Sequence, residues 1–120
     1  MIGKDDVRKK VKASGSDLLD IVDPLKYKDI EVFISEYLEL RKAKGMTPEE
    51  ARKTMIEDPL TFGSMLVRRG LAAGFVAGAN HTTSSVIRAA LRTLQIDKSI
   101  GVVSVAFLMA TMRAECSDAL

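Results

Sequence analysis

Four consecutive hydroxyl residues precede an arginine in the segment from Gly78 to Arg88, which is the best candidate for chemistry in the sequence. The hydroxyl groups, which can donate hydrogen bonds to an anion, belong to Thr82, Thr83, Ser84 and Ser85. Arg88 follows about one turn into a predicted helix, where its planar guanidinium can hold a phosphate group through two parallel hydrogen bonds. Free backbone N–H groups at the helix start attract anions as well. The segment therefore predicts a phosphate-binding site.

A simpler explanation of the same segment stays open. One of the hydroxyl residues can serve as an ordinary helix N-cap, and Arg88 can lie in solvent beside Arg92 on the polar face of the helix. His81 is the single histidine of the chain. It can donate a hydrogen bond to phosphate or exchange a proton near neutral pH, or it can be a plain polar loop residue.

Arg41 is a second candidate because of its place on a predicted helix. It lies eleven residues after Ile30, on the continuation of an apolar stripe. A charged side chain on such a stripe must be paired or must reach a cleft. The alternative is that Arg41 gains from the negative end of the helix and extends to water. The candidate binding residues are therefore Arg41, His81, Thr82, Thr83, Ser84 and Arg88, and we assign no catalytic residue in this chain.

Composition argues against several classes of function. The 120 residues carry a net charge of +2 with both signs mixed, so we expect no nucleic-acid partner. With one histidine and one cysteine we expect no metal site, and the common nucleotide-binding motifs are absent from the sequence. The longest apolar run, from Ile100 to Met112, is shorter than the roughly 20 residues of a membrane span. The absence of a signal-peptide pattern and the single cysteine lead us to expect a cytoplasmic protein without membrane contact.

The elements that must position these residues alternate between helices and strands. Short apolar runs predict strands over 18–22, 74–78 and 101–109. Helices are predicted over 4–13, from Ile30 to Gly45, after the capping signals Thr47-Pro48 and Asp58-Pro59, and over 84–94 with Val86, Ile87, Ala90, Leu91 and Leu94 facing inward. The expected fold class is α/β, with three αβα layers around a mainly parallel sheet. Two or three strands are too few for such a sheet alone, which indicates that neighbouring elements are missing.

An ordered series of segments resembles the phosphate acetyltransferases and the related phosphate butyryltransferases. The segments are Asp23–Pro24, Tyr37–Thr47, Glu57–Gly63, Ala77–Thr83, Arg88–Leu91 and Phe107–Met109. The similarity runs from Ile2 to Met109. Residues 1–109 are therefore interpreted as a partial domain of this family, and residues 110–120 as a tail that departs from the family pattern.

The resemblance implies a reversible reaction in which acetyl-CoA and phosphate give acetyl phosphate and CoA, catalysed by a cytoplasmic homodimer. It implies no cofactor, because CoA is a substrate. It also places Arg41 and Arg88 near phosphate groups of CoA or of the acyl phosphate, beside the hydroxyl pair Thr82 and Thr83. The family's base for the CoA thiol lies in a C-terminal half without a counterpart here, so the chain is interpreted as an incomplete part of a two-domain acyltransferase. A non-catalytic acyl-CoA-binding or regulatory module and a phosphate butyryltransferase stay open as alternatives.

Overall fold

The structure, a computed structural model, describes residues 1–16, 19–94, 96–104, 106 and 109. These residues form five α-helices: α1 (Asp5–Ala13), α2 (Ile30–Arg41), α3 (Pro48–Glu57), α4 (Pro59–Arg68) and α5 (Thr83–Thr93). Two short 3₁₀ turns, Pro24–Lys26 and Lys42–Lys44, precede and follow α2. No helix in the described residues is long and apolar enough to cross a membrane.

The predicted three-layer αβα fold with a mainly parallel sheet is wrong, because the described residues form no strand. The β-type pairing among them is an isolated parallel bridge between Ile2 and Val22. The predicted strand 74–78 is irregular, and so are the described parts of 18–22 and 101–109 apart from that bridge; residues 18, 105, 107 and 108 lie outside the described residues. A strand needs a neighbouring strand for its N–H and C=O groups, whereas a helix pairs these groups within itself. The predicted helices can therefore form without neighbouring elements, whereas the predicted strands cannot.

The starts of α3 and α4 confirm the capping signals predicted from the sequence. Thr47 accepts a hydrogen bond from the backbone N–H of Glu50 at 3.3 Å, and the Glu50 carboxylate accepts one from the Thr47 N–H at 3.4 Å. At the next helix the Asp58 carboxylate accepts from the Leu60 N–H at 3.1 Å. Gly45 ends the turn after α2 with a φ of +75°, a left-handed conformation that suits glycine. These local signals set the lengths of the helices that build the core.

The core lies where α2, α3 and α4 meet. Its buried residues are Phe33, Ile34, Tyr37, Ala51, Met55, Phe62 and Met65. The rings of Phe33 and Phe62 are 5.5 Å apart, and Tyr27 meets Phe62 edge to face at 5.4 Å. The apolar stripe predicted for α2 is confirmed, since Ile30 and Leu38 pack against this core as well.

Helix α5 packs against α4, and its buried residues are Ala89 and Thr93. The guanidinium of Arg68 donates a hydrogen bond from Nη1 to the Thr93 carbonyl at 2.8 Å, which ties the end of α5 to α4. The inward face predicted for this helix is wrong, because its five residues are half-buried or exposed: Val86, Ile87, Ala90, Leu91 and Leu94.

Candidate functional site

A cleft between the end of α2 and the outer side of α5 brings together residues that are far apart in sequence. Its volume is about 540 Å³, and it is lined by Arg41, Lys44, Ser84, Ile87, Arg88, Leu91 and Arg92. We call this the basic cleft, because four of its seven lining residues are basic. It contains three of the candidate residues predicted from the sequence, namely Arg41, Ser84 and Arg88.

Helix α5 contributes its side of the basic cleft through helical spacing. Ser84, Arg88 and Arg92 are each four residues apart, so they lie on one face of the helix, one turn above another. The helix starts at a cap in which Thr82 Oγ1 accepts from the Ser85 N–H at 3.3 Å. The capping explanation is therefore confirmed for Thr82, and Arg88 is exposed, as that explanation also expected, while Ser84 and Arg88 both line the basic cleft.

Helix α2 contributes Arg41 as the continuation of its buried stripe. Phe33, Tyr37 and Arg41 are spaced by four, and the two aromatic residues are fully buried in the core. Arg41 is half-buried, and its Nε atom is buried without a hydrogen-bond partner among the described residues. The 3₁₀ turn that follows carries Lys44 to the same cleft. Arg41 thus lines the basic cleft while one nitrogen of its guanidinium, Nε, is buried.

Elsewhere in the described residues, five basic side chains have an acidic partner: Lys26, Lys42, Arg52, Arg68 and Arg69. Arg68 and Arg69 both bind the Glu36 carboxylate, at 2.9 Å and 3.1 Å. Partial burial raises the pKa of Glu36, but the hydrogen bonds and charges of the two arginines together bring this pKa below its ordinary value. Arg52 pairs with Glu31 on the exposed surface.

The four cations of the basic cleft have no carboxylate within 4.0 Å among the described residues, which is also true of other described cations such as Lys28 and Lys53. None of its lining residues is acidic, and none of the ion pairs in the described part of the chain involves Arg41, Lys44, Arg88 or Arg92. Like charges gathered without counter-charges repel one another and produce a positive potential that attracts an anion. The arrangement can therefore bind phosphate-type groups through guanidinium, ammonium and hydroxyl donors.

The remaining predicted residues do not join the basic cleft. His81, Thr82 and Thr83 are exposed in the loop and at the first position of α5, and Thr83 lines a separate apolar groove instead. Sequence reasoning missed Lys44 and treated Arg92 only as a solvated neighbour of Arg88. Arg92 could have been found from its four-residue spacing from Arg88. Lys44 lies one 3₁₀ turn after Arg41, which brings it to the same cleft. No group of three His, Cys, Asp or Glu side chains suited to a metal ion occurs within the described residues.

Comparison with known proteins matches residues 1–117 to a family described as "Phosphate acetyl/butaryl transferase". Three curated relatives share the name phosphate acetyltransferase. The protein of Thermoanaerobacterium thermosaccharolyticum is 34% identical over 95% of this chain and 34% of its own length. That of Acetivibrio thermocellus is 39% identical over 89% of this chain and 33% of its own length, and that of Bacillus subtilis is 39% identical over 75% and 27%. This chain thus spans about a third of the length of such relatives.

Proposed function

Because this chain belongs to the phosphate acetyl/butaryl transferase family, we propose that it supplies part of the substrate site of a phosphate acetyltransferase. The proposed reaction moves an acetyl group reversibly between the sulfur of CoA and phosphate. Its substrates are CoA, acetyl-CoA, phosphate and acetyl phosphate, with no further cofactor. We place the enzyme in the cytoplasm, as a homodimer in its full-length form.

The observation that carries this proposal is the basic cleft and its four cations without acidic partners among the described residues. Phosphate is the group that both acetyl phosphate and CoA present, and it matches guanidinium donors in charge and geometry. Arg41 at the end of α2 and Arg88 on α5 both line the cleft, which supports the proposal that they bind one phosphate group together. Fixing that group orients the acyl phosphate toward the attacking sulfur.

In the proposed step the CoA sulfur attacks the acyl carbon of acetyl phosphate. A carbon–sulfur bond forms, the carbon–oxygen bond to phosphate breaks, and phosphate leaves with the electron pair of that bond. The cations of the basic cleft stabilise the negative charge that develops on the leaving phosphate. The thiol proton passes to a base that lies outside the candidate residues of this chain. The chain therefore contributes positioning and charge stabilisation.

The test is a chimera in which this chain replaces the matching segment of the T. thermosaccharolyticum protein. We expect the chimera to consume CoA when acetyl phosphate is supplied. Arg41→Ala and Arg88→Ala should each lower kcat/KM by about 100-fold, the order found when one charge-stabilising donor is removed. Arg52→Ala is the matched control, because Arg52 is exposed and binds only Glu31 among the described residues. Equal activity of all three variants would contradict the proposal.

A second candidate, a non-catalytic acyl-CoA-binding module, is supported by one observation. All seven lining residues of the basic cleft belong to this chain. Calorimetric titration of the isolated chain with CoA separates the two candidates when combined with the chimera. Binding by the chain together with an inactive chimera would favour the module, whereas an active chimera favours the transferase.

The acyl chain is a further question for the same chimera, since the family description names two acyl groups. We propose acetyl, in agreement with the names of the relatives. A higher kcat/KM with butyryl phosphate than with acetyl phosphate would instead assign a phosphate butyryltransferase.

A further inference from the structure

The basic cleft contains one side chain with a nucleophilic amine. Three of its seven lining residues are arginines, whose guanidinium groups stay protonated and do not attack a carbonyl carbon. Ser84 carries a hydroxyl group, which needs a neighbouring base to become a nucleophile, and no lining residue is a histidine, an aspartate or a glutamate. The amine of Lys44 is therefore the group in the cleft that can react with an acylating agent.

The 3₁₀ turn after α2 presents Lys44 on the same side as Arg41. The two residues are three positions apart, and residues with that spacing in a 3₁₀ turn lie one above the other. The Lys44 side chain is exposed, and no carboxylate of the described residues lies within 4.0 Å of its nitrogen. Lys42, in the same turn, pairs with Glu39 at 3.8 Å and does not line the cleft. Lys44 thus combines a free amine with a place beside an arginine of the proposed phosphate site.

An acyl phosphate in the basic cleft brings an acylating group to this amine. Its phosphate is the part that the guanidinium groups hold, and the same phosphate is the leaving group of the attached acyl carbon. We propose that Lys44 is a modification site, at which an acyl phosphate bound in the basic cleft acylates the ε-amine. This inference rests on the proposed function, because it needs an acyl phosphate in the cleft.

The modification step is a direct acyl transfer that needs no further reactant. The uncharged amine of Lys44 attacks the acyl carbon of acetyl phosphate. A carbon–nitrogen bond forms, the carbon–oxygen bond to phosphate breaks, and phosphate leaves with the electron pair of that bond. The nitrogen gives one proton to solvent, and the product is an acetyl amide. Holding the acyl phosphate beside the amine raises its local concentration above that at lysines elsewhere on the surface.

Acylation of Lys44 changes the charge of the basic cleft. An amide carries no charge, so the four cations become three, and the attraction of the cleft for phosphate groups falls. CoA competes with the amine for the same acyl group, so the modification accumulates when acyl phosphate is present without CoA. The acyl phosphate thereby weakens the site that binds it.

The first experiment incubates the full 120-residue chain with acetyl phosphate alone and follows acetylation of each lysine by peptide mass spectrometry. Lys28 and Lys53 are the matched controls, because they are exposed and without a carboxylate within 4.0 Å, as Lys44 is, but do not line the cleft. We expect the initial rate at Lys44 to exceed the rate at either control at least about tenfold. A rate at Lys44 no higher than at the controls would overturn the proposal.

The difference in rate should depend on the phosphate site of the cleft. Arg88→Ala should lower the Lys44 rate to that of the controls, because it removes a guanidinium group that holds the acyl phosphate. An excess of inorganic phosphate should do the same by competing for the cleft. Arg52→Ala should keep the difference, since Arg52 is exposed and does not line the cleft. A Lys44 rate that stays highest in Arg88→Ala and in excess phosphate would contradict acylation by a bound acyl phosphate.

The chimera described above separates this inference from the proposed function. Incubation with acetyl phosphate should acetylate Lys44 there too, and KM for acetyl phosphate, measured after the reagent is removed, should rise at least about fivefold. Lys44→Arg keeps a positive charge but has no amine, so the same incubation should leave its KM at its own starting value. An equal rise of KM in Lys44→Arg would exclude Lys44 as the cause.

The two ways of failing give different results in the chimera. An active chimera in which Lys44 is acetylated no faster than Lys28 and Lys53 would overturn the modification and leave the proposed function in place. An inactive chimera in which Lys44 is still acetylated fastest would overturn the proposed function and leave the modification in place.

Discussion

Two regions of this chain differ in how they use their apolar residues. The central region, residues 24–69, buries a cluster of aromatic and aliphatic side chains between three helices. The C-terminal region, residues 71–109, is the more apolar of the two in sequence, yet it leaves residues such as Val76 and Val102 in solvent. Apolar content therefore does not decide burial in this molecule. What decides it is whether the elements that must cover one another lie close together in the chain.

The central region meets that condition because its helices are consecutive and joined by short connections. Caps at Thr47 and Asp58 start the second and third of them, and the Phe33 and Phe62 rings then meet across the core. The described residues of the C-terminal region form one helix and irregular segments, and α5 packs against α4 and α2. The predictions below test this contrast, beginning with the largest expected effect.

Phe62→Ala should lower the free energy of unfolding of the chain by about 3–5 kcal/mol, because it removes a fully buried ring from the core. Val76→Ala is the comparison in the C-terminal region and should change that free energy by less than about 0.5 kcal/mol, since Val76 is 82% exposed. Urea denaturation followed by circular dichroism measures both. Similar losses for the two variants would break the contrast between the regions.

Arg68→Ala should have the next largest effect, because Arg68 connects the two regions. It binds Glu36 of α2 through Nε at 2.9 Å and the Thr93 carbonyl of α5 through Nη1 at 2.8 Å. Loss of these bonds should reduce stability by about 1–3 kcal/mol and increase the hydrogen-exchange rates of the α5 amides.

Arg69→Ala is the control for this connection. Arg69 also binds Glu36, at 3.1 Å, but makes no hydrogen bond to α5 among the described residues. The α5 amides should therefore keep their exchange rates in Arg69→Ala. If both variants accelerate exchange in α5 equally, the Arg68–Thr93 bond is not the connection.

The helix caps should have a smaller effect, of about 1 kcal/mol. Thr47→Ala removes the cap of a helix that the core depends on, so we expect the whole chain to lose stability in urea. Thr82→Ala removes the cap of α5, and we expect faster hydrogen exchange at the start of α5 with little change in the urea midpoint. If Thr82→Ala lowered the urea midpoint more than Thr47→Ala did, the stability of the chain would depend more on α5 than on α3, which would contradict the contrast between the regions.

The pH dependence of stability should show the smallest effect. The pKa of Glu36 is lowered in the folded chain, so its ion pairs contribute stability above the ordinary carboxyl pKa of about 4.5. That contribution is lost as pH falls through the lowered pKa. Tm should therefore fall between pH 5 and pH 3, by about 2 °C more in the unmodified chain than in Glu36→Gln. Glu39→Gln is the matched control, because Glu39 lies on the same helix, is exposed and does not contact Arg68 or Arg69 among the described residues.

Much of the central region could be predicted from sequence, because its signals are local. The capping box at Thr47, the N-cap at Asp58 and the α2 stripe are encoded within a few residues of where they act, and the structure confirms them. The sheet was predicted wrongly, because an apolar run such as 74–78 does not reveal whether a partner strand is present. The inward face of α5 was also predicted wrongly.

The candidate site was predicted in part. Arg41, Ser84 and Arg88 were selected for their chemistry, and the structure brings them to one cleft; their binding of substrate stays a prediction. His81 was selected with them as a possible hydrogen-bond donor to phosphate, and Thr83 for its hydroxyl group and through the family resemblance, but neither lines that cleft. Lys44 was missed, since its position depends on the packing of the α2 end against α5.

The most direct test of the basic cleft is a double-mutant cycle of Arg41→Ala and Arg88→Ala in the chimera, read as kcat/KM with acetyl phosphate and CoA. If both guanidinium groups hold one phosphate group, the effects are coupled, and the double variant should lose little more activity than the more impaired single variant. Single losses that multiply fully in the double variant would contradict the account, because they would assign the two arginines to independent sites.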